Sequence, residues 1–274
     1  MAAAPAATAL EYPYATVLVL GATSGIGLAL AEKLVTNGSH VIAVGRREEK
    51  LASFQEKHGR DKVSIIKFDI TDLEGIPGFV ENVTKAHPTL SSVIVNSGIQ
   101  RRLDFTAPSS IDLSAVSAEL TTNYLAPIHL TTAFLPHLTS LSRQTRTSIV
   151  FTTSGLALVP ITRCPNYCAT KAALHHAVLC LREQLRHTAE NLTVVEVMPP
   201  AVQTELHDAK HQPDIKEGGK IGMPLEKFTE ECWTGLCEGK EEVPVEMAMF
   251  WYEGFEKERQ KMFKSLVEKG VGVL

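Results

Sequence analysis

The 274-residue sequence lacks an excess of positive charge, a long apolar run and a metal-binding cysteine pattern. Its 27 Lys and Arg residues against 31 Asp and Glu residues give a net charge of −4, so no basic surface for a nucleic-acid backbone is expected. No apolar run approaches the ~18 residues that a membrane helix needs. Residues 1–10 contain no Lys or Arg and so lack the charged flank of a secretory signal. We expect a cytoplasmic protein with no membrane span and no nucleic-acid partner.

The cysteines are too few and too irregularly spaced for a metal centre or a disulfide framework. There are five of them, an odd number, and no C-x-x-C pair occurs. We therefore expect free thiols and no bound metal. A composition of 44% hydrophobic and 21% charged residues is typical of a folded globular chain.

Short apolar runs alternate with helical patterns after fifteen residues rich in Ala and Pro, which we predict to form a flexible tail. The runs predict strands at residues 16–20, 41–44, 63–67, 92–96, 148–152 and 193–197. The helical patterns cover residues 28–35, 47–57, 73–86, 113–141 (bent at Pro127) and 166–186. The alternation predicts an α/β fold: a Rossmann-type, doubly wound parallel sheet with helices on both faces, in a single domain over residues 16–274.

A glycine-rich turn, Gly21-Ala22-Thr23-Ser24-Gly25-Ile26-Gly27, joins the first predicted strand to the first helix. Glycines there let the backbone approach a pyrophosphate, and the helix N-terminus offers unpaired N–H groups. The same glycines could serve only tight packing between strand and helix. With a strand before it and a helix after it, the turn indicates dinucleotide binding at Gly21, Thr23, Ser24, Gly25, Ile26 and Gly27.

The end of the second strand indicates which dinucleotide. A site for NAD(H) places Asp or Glu there to bind the ribose 2′-hydroxyl, whereas this sequence has Gly45-Arg46-Arg47. A guanidinium fork matches a 2′-phosphate, which favours NADP(H) with Arg46 as its contact. The alternative is that both arginines only flank a solvated helix start.

Ser154, Tyr167 and Lys171 form the most informative set of polar residues. Tyr167 and Lys171 are four residues apart on one predicted helix and so share a face. A phenol has a pKa of ~10, and lowering it by ~3 units needs about 4 kcal/mol of preferential phenolate stabilisation. A neighbouring ammonium and an oxidised nicotinamide could together supply it in a dry pocket. Ser154, at the end of a predicted core strand, would then bind the substrate oxygen.

With these motifs, the chain resembles the short-chain dehydrogenase/reductase family, in its compact single-domain branch, from about residue 16 to residue 249. The resemblance implies that Tyr167 is the general acid/base, that Lys171 holds the nicotinamide ribose and lowers the tyrosine pKa, and that Ser154 orients the carbonyl. It implies that Asn123 supports a water that links Lys171 to solvent. It also implies cofactor contacts at Asp69, Ile70, Asn96, Gly98, Val202 and Thr204.

Four positions depart from the family pattern. Leu20 stands where the family often has Thr. Ser97 replaces a usual Asn or Ala, and Pro200 replaces a usual Gly. Ser24 is not the basic residue that many NADP-preferring relatives carry, which leaves Arg46 as the main argument for NADP(H). None of the four removes a catalytic group.

Past Pro200, the resemblance implies a substrate loop or lid over about residues 203–240. The apolar positions of 225–236 fit either such a lid or ordinary packing, and residues 247–252 fit sheet-edge packing, an oligomer contact or a pocket rim. We interpret His175 and His176 as helix-surface residues or a helix–helix contact rather than a second base, and His207 as a loop residue that could touch substrate. An edge strand at 243–246 and a helix at 255–269 complete the chain.

The leading hypothesis is an NADPH-dependent oxidoreductase that reduces a ketone or aldehyde, or oxidises the alcohol in reverse. A mostly apolar segment, residues 156–165, favours a hydrophobic substrate. A catalytically silent NADP(H)-binding sensor or scaffold is the alternative, and a dehydratase or epimerase ranks last because it usually has a longer chain. By analogy, we expect a homodimer or homotetramer assembled through the helices at 113–141 and 166–186.

Overall fold

A seven-stranded parallel sheet organises the chain. The structure is a computed structural model that describes residues 11–271. The strand order is β3-β2-β1-β4-β5-β6-β7, and every neighbouring pair is parallel. The strands are β1 (Thr16–Leu20), β2 (His40–Gly45), β3 (Val63–Lys67), β4 (Ser92–Val95), β5 (Thr147–Thr152), β6 (Leu192–Met198) and β7 (Glu242–Pro244).

Helices cover both faces of this sheet. They are α1 (Gly25–Thr36), α2 (Glu48–His58), α3 (Ile76–Ala86), α4 (Leu113–Leu120), α5 (Ala126–Ser142), α6 (Pro165–Leu185), α7 (Leu225–Cys237), α8 (Met247–Trp251) and α9 (Lys257–Glu268). The predicted doubly wound α/β fold is thus confirmed. The order reverses between β1 and β4, and ligands of such sheets bind at the carboxyl ends of the strands beside that reversal.

Successive residues of β1 supply two separate cores, as the period of a strand requires. Val17 and Val19 pack in a cluster with residues of α1, α2 and α7, whereas Leu18 and Leu20 pack in a cluster with residues of α3, α5 and α6. All five residues of β1 are buried. A strand covered on both faces reads as the uninterrupted apolar run seen in the sequence.

The N-terminal prediction is wrong where the structure describes it. Tyr12 and Tyr14 are buried rather than part of a flexible tail, and the Tyr12 ring lies 5.6 Å from that of Trp233 on α7. The Tyr12 hydroxyl is also 2.9 Å from Ser92 Oγ. Burial of two aromatic rings outweighs the Ala- and Pro-rich composition. Residues 1–10 of the predicted tail lie outside the described residues.

The predicted helix at 113–141 is instead α4 and α5, joined by five residues of π-helix, Thr121–Leu125. The helix α8 was not predicted, and a second π-helical turn, Tyr252–Glu256, joins it to α9. In the predicted lid, α7 buries Phe228, Cys232, Trp233 and Leu236 in the core beside α1. Of the two interpretations of residues 225–236, core packing agrees with the structure.

The sequence led us to expect neither a membrane-spanning helix nor a metal site. Within residues 11–271 no helix is both long and apolar enough to cross a bilayer. Nor does the range contain three or more His, Cys, Asp or Glu side chains grouped so that they could hold a metal ion. All five cysteines are free thiols.

Candidate active site

The glycine turn between β1 and α1 is closely packed and has an open helix end. Gly21 and Gly25 have φ values of +79° and +54°, which side chains rarely adopt. A Cβ on Gly27 would lie 2.3 Å from the carbonyl oxygen of Gly21. The N-cap residue of α1, Ser24, makes no capping hydrogen bond with its side chain. The turn therefore presents backbone N–H groups at the positive end of α1, which suits a pyrophosphate.

Arg47 braces this turn. Its Nη2 donates to Ser24 Oγ at 2.6 Å and to Thr23 Oγ1 at 2.9 Å, and its Nη1 donates to Glu205 at 2.7 Å. Burial alone would raise the pKa of Glu205. Hydrogen bonds to its carboxylate from Arg47 and from Ser24 outweigh burial and lower that pKa below its ordinary value. Arg47 thus ties the glycine turn to the segment after β6, a link that sequence reasoning missed.

Arg46 is differently placed. Its side chain is 67% exposed, and its Nη1 is 3.7 Å from Asp69 Oδ2 at the end of β3. Asp69 is held by Thr71, whose backbone N–H and hydroxyl both donate to Asp69 Oδ1. The guanidinium of Arg46 is consequently free to turn toward a ligand at the end of β2.

Tyr167 and Lys171 lie on α6 beside the end of β5. Lys171 Nζ is 5.7 Å from the centre of the Tyr167 ring and donates to the carbonyl oxygen of Thr152 at 2.8 Å. Ser154 follows β5 directly, and its Oγ accepts from the backbone N–H of Leu156 at 3.1 Å. All three predicted groups are buried and share one cluster at the carboxyl edge of the sheet.

Burial sets the acidity of this cluster in the protein alone. It raises the pKa of Tyr167 above its ordinary range, although the hydroxyl of Ser154 acts to lower it. It lowers the pKa of Lys171 to about 8, against the opposing negative charges of Glu196 and Glu119. The chain by itself thus leaves Tyr167 a neutral phenol, able to donate a proton. The cofactor-free chain therefore does not acidify Tyr167, and positive charge brought by a bound ligand would lower its pKa.

Asn123 lies in the π-helical turn and connects two walls of the site. Its Oδ1 accepts from Ile99 N at 2.9 Å, and its Nδ2 donates to Ile99 O at 2.8 Å and to Thr170 Oγ1 at 3.2 Å. A Cβ on Gly98 would lie 3.5 Å from Lys171 Nζ. The contacts of Asn123 thereby hold the loop after β4 close to α6.

The remaining predicted cofactor residues line the same edge. A Cβ on Gly27 would lie 2.6 Å from Asn96 Nδ2, and one on Gly25 would lie 3.2 Å from Thr204. Ile70 and Val202 are buried, and Ile26 packs partly buried against the core. The structure therefore places all the predicted site residues along the carboxyl edge of the sheet.

Glu119 was not predicted. It is a fully buried carboxyl on α4 that accepts from Arg101 N at 2.8 Å and from Asn166 Nδ2 at 2.5 Å. Burial raises its pKa, although Asn166, Arg101 and Lys171 act to lower it. An isolated Glu in a helical pattern usually indicates a solvent-facing position, so the sequence carried no signal for this contact.

Two thiols flank the tyrosine. Cys164 and Cys168 are buried and pack with Tyr167 and Leu156. The neighbouring Cys164 thiol lowers the pKa of Cys168 below its ordinary value. Because Cys164 and Cys168 are four residues apart at the start of α6, with Tyr167 between them, their position near the tyrosine could have been predicted from the sequence.

The loop after β6 packs over the outer side of the site. Arg163 donates to both carboxylate oxygens of Asp214 at 2.8 Å, and Gln212 Nε2 donates to Gln100 Oε1 at 2.9 Å. His207 is buried in this loop, and burial lowers its pKa. These contacts hold Gln212 and Asp214 of the predicted lid against Gln100 and Arg163, whereas α7, in the same predicted segment 203–240, packs in the core.

The chain is similar to known oxidoreductases over most of its length. A family model described as short chain dehydrogenase matches residues 15–214. The "Uncharacterized oxidoreductase DltE" of Bacillus subtilis is 38% identical over 232 residues, which cover 84% of this chain and 88% of that protein. The "Benzil reductase ((S)-benzoin forming)" of Saccharomyces cerevisiae is 28% identical over 222 residues, 78% of this chain and 81% of that protein.

Solved structures share the fold. A short chain dehydrogenase from Burkholderia cenocepacia, solved in complex with NADP, has a TM-score of 0.74 at 23% identity and covers 93% of this chain and 98% of that one. A short chain dehydrogenase/reductase from Burkholderia phymatum, solved in complex with NAD, has a TM-score of 0.75 at 17% identity and covers 85% of this chain and 89% of that one.

Proposed function

The chain belongs to the short-chain dehydrogenase family of oxidoreductases, and from this premise we propose that it is an NADP(H)-dependent carbonyl reductase with Tyr167 as general acid/base. The observation that carries the proposal is the meeting of Tyr167, Lys171 and Ser154 at the sheet edge that also holds the glycine turn. All the groups needed for proton transfer are present there, so nothing favours a catalytically silent protein.

Each side chain has a role that follows from its position. The Tyr167 hydroxyl donates its proton to the oxygen of the carbonyl, and Ser154 donates a hydrogen bond to the same oxygen. Lys171 binds the ribose hydroxyls, and its positive charge makes loss of the Tyr167 proton easier. The nicotinamide, when bound, supplies the hydride. Asn123 keeps the loop after β4 against α6 and so supports a water path from Lys171 to solvent.

The preference for NADP(H) is proposed from the end of β2. In the sequence, Gly45-Arg46-Arg47 replaces the Asp or Glu that would bind a 2′-hydroxyl at the end of β2, and the exposed guanidinium of Arg46 suits a 2′-phosphate. A relative at 28% identity over 220 residues, covering 79% of this chain and 82% of that protein, is the "NADP-dependent 3-hydroxy acid dehydrogenase" of Schizosaccharomyces pombe. Since one structure of this fold was solved with NADP and another with NAD, the preference needs its own test.

An apolar ketone is the substrate class we propose. Leu156 packs beside Tyr167, and Ile161, 44% exposed, offers apolar surface in the segment before α6. The similarity to a benzil reductase makes aromatic ketones and diketones the first probes. We further propose a cytoplasmic homodimer or homotetramer joined through α4, α5 and α6, on which the exposed Leu113 and Leu120 supply apolar contact surface. Light scattering after size-exclusion chromatography tests the assembly.

The function is tested by the loss of NADPH absorbance with a panel of apolar ketones, aldehydes and diketones. We expect turnover with at least one aromatic carbonyl compound and a loss of about 10²–10⁴-fold in Tyr167→Phe, the usual contribution of a general acid. The phenylalanine ring keeps the packing of the wild-type ring, so NADPH affinity should be unchanged in that variant. Wild-type turnover in Tyr167→Phe would refute the assignment of the acid.

A further inference from the structure

A buried chain of charges lies behind the candidate active site. Glu196 on β6 is 0% exposed, and its carboxylate oxygens are 2.8 and 2.9 Å from His175 Nδ1 on α6. His175 Nε2 is 3.0 Å from Glu256, in the π-helical turn before α9, and Glu256 accepts from Arg259 Nε at 2.7 Å. Proton transfer as proposed above uses none of these four residues.

Glu196 is connected directly to the strand end that carries the catalytic contacts. Its Oε1 accepts from the hydroxyl of Thr153 at 2.5 Å, and the Thr153 backbone N–H donates to Val197 O at 2.9 Å. Thr153 stands between Thr152, whose carbonyl accepts from Lys171, and Ser154. A change at Glu196 therefore acts on the backbone that positions two catalytic groups.

Glu196 also contributes negative charge near Lys171. The carboxylates of Glu196 on β6 and Glu119 on α4 act on that amine through their charge, and the ring of Tyr167 on its own helix lies 5.7 Å from it. Burial lowers the pKa of Lys171 to about 8, and the charges of Glu196 and Glu119 prevent a larger fall. Without Glu196, an amine buried to this degree would lose its proton at a lower pH.

His175 holds the Glu196 carboxylate in place. Four charged or titratable groups face its ring: Glu196, Glu256, Arg259 and His176. Burial opposes a charge on His175, yet the two carboxylates outweigh burial and raise its pKa to about 9. Its Nδ1 donates to the Glu196 carboxylate, which can only accept, whereas its Nε2 lies 3.0 Å from Glu256 Oε1 and 2.7 Å from the guanidinium Nη2 of Arg259. The pair is therefore a buried ion pair.

From these contacts we infer that Glu196 is a positioning residue of the active site: it keeps Lys171 in its ammonium form and fixes the Thr152–Ser154 strand end, with His175 as its counter-ion. The inference rests on the proposed role of Lys171. Burial of these two charges costs desolvation free energy, and the inference gives the buried pair a function.

The test compares Glu196→Gln with wild type in the cofactor-free protein. The protein is labelled with ¹³C at lysine Cε, and the Lys171 resonance, assigned by its loss in Lys171→Arg, is titrated by NMR. Gln keeps the size of Glu and can still accept from Thr153, so the variant removes mainly charge. We expect the Lys171 midpoint to fall by about one pH unit or more. The alkaline limb of the pH profile for carbonyl reduction should move to lower pH with it.

Glu242→Gln is the matched control, because it removes a partly buried carboxylate on β7, beside Glu196 in the parallel register, that pairs with Arg182 at 2.9 Å and is not among the charges acting on Lys171. It should leave the Lys171 midpoint unchanged, and Glu196→Asp should restore part of the wild-type value. If Glu196→Gln does not fold, Glu196→Gln combined with His175→Gln removes both charges; because a positive charge leaves as well, the expected fall of the Lys171 midpoint is smaller but has the same sign, since the charge that acts on Lys171 is that of Glu196.

An unchanged Lys171 midpoint in the folded variant, or an equal fall in Glu242→Gln, would overturn the inference. Because the titration needs neither cofactor nor turnover, the Lys171 midpoint can be measured even if no carbonyl compound is reduced. Failure of the proposed function and failure of this inference are thereby separate results.

Discussion

Substitution of Arg46 by Ala should change which cofactor the enzyme prefers. The Arg46 guanidinium is exposed at the end of β2 and has only a long contact, 3.7 Å, with Asp69. Removing it should leave the fold and the glycine turn intact, since it braces neither. Apart from this contact with Asp69, the interaction lost is the one that we propose with a 2′-phosphate.

The size of the effect follows from the exposure of the side chain. A hydrogen bond to a charged group contributes about 1.5–3 kcal/mol, and solvent around a group that is 67% exposed favours the lower end. At ~1.4 kcal/mol per factor of ten, we expect kcat/KM with NADPH to fall about tenfold. The value with NADH should stay within about twofold, because a 2′-hydroxyl makes no ion pair.

Arg47→Ala is the matched control, one residue along the chain. It removes the hydrogen bonds to Thr23, Ser24 and Glu205 that brace the glycine turn. Because NADPH and NADH share the pyrophosphate that we propose to bind at that turn, kcat/KM should fall by similar factors with both. Initial rates for the two variants with each cofactor separate the roles. An equal loss with both cofactors in Arg46→Ala would refute the assignment of Arg46 to the 2′-phosphate.

Three further outcomes follow from burial and packing. Burial raises the pKa of Tyr167, so an alkaline absorbance titration of the cofactor-free protein should find no tyrosinate at Tyr167 below pH ~10; a difference from Tyr167→Phe near neutral pH would contradict this. Gly155→Ala should slow carbonyl reduction severalfold, because the new Cβ would lie 3.0 Å from Trp251 and would move the turn after the catalytic serine, whereas Gly254→Ala, with no atom within 4 Å, should not. Since folding raises the pKa of His175 from 6.5 to about 9, its stabilisation is complete below pH 6.5 and is lost as the pH rises through 9. Urea unfolding should show a decline of about 3 kcal/mol at most over that range, and a flat profile would contradict it.

The strands and most helices could be predicted from the hydrophobic periodicity of the sequence because each of them lies in a uniform environment. Every residue of β1 and of β5 is buried between two helical layers, so an apolar run was a sufficient signal. The π-helical turn at Thr121–Leu125 had no local signal. It contains Asn123, whose hydrogen bonds go to Ile99, 24 residues earlier in the chain. A pairing over that distance is set by the fold and not by neighbouring residues.

The prediction of a flexible N-terminal tail was wrong for a related reason. Composition suggested a flexible tail, but the ring of Tyr12 packs beside Trp233, more than two hundred residues later, and its hydroxyl is 2.9 Å from Ser92 Oγ. Two aromatic residues in an otherwise small-residue segment were the available signal. Large rings at a chain end usually have a partner when the chain folds, and the sequence does not say which.

That Tyr167, Lys171 and Ser154 lie together was predictable from motifs because short spacings place them: four residues on one helix for Tyr167 and Lys171, and a strand end for Ser154. Their catalytic roles stay a proposal. The electrostatic surroundings of these groups could not be predicted, because the charges that act on Lys171 come from other elements, Glu119 from α4 and Glu196 from β6. The direction of the Tyr167 pKa in the protein alone depends on burial, which only the assembled fold supplies.

Glu196 nevertheless left a signal in the sequence. It is the one charged residue of Leu192–Met198, an otherwise apolar strand, and a central strand of a parallel sheet is covered on both faces. A carboxylate there is buried whichever way it points, and a buried charge persists only with a partner. The sequence therefore requires a cation or a donor opposite Glu196. It does not name His175, because that choice depends on how α6 lies across the sheet.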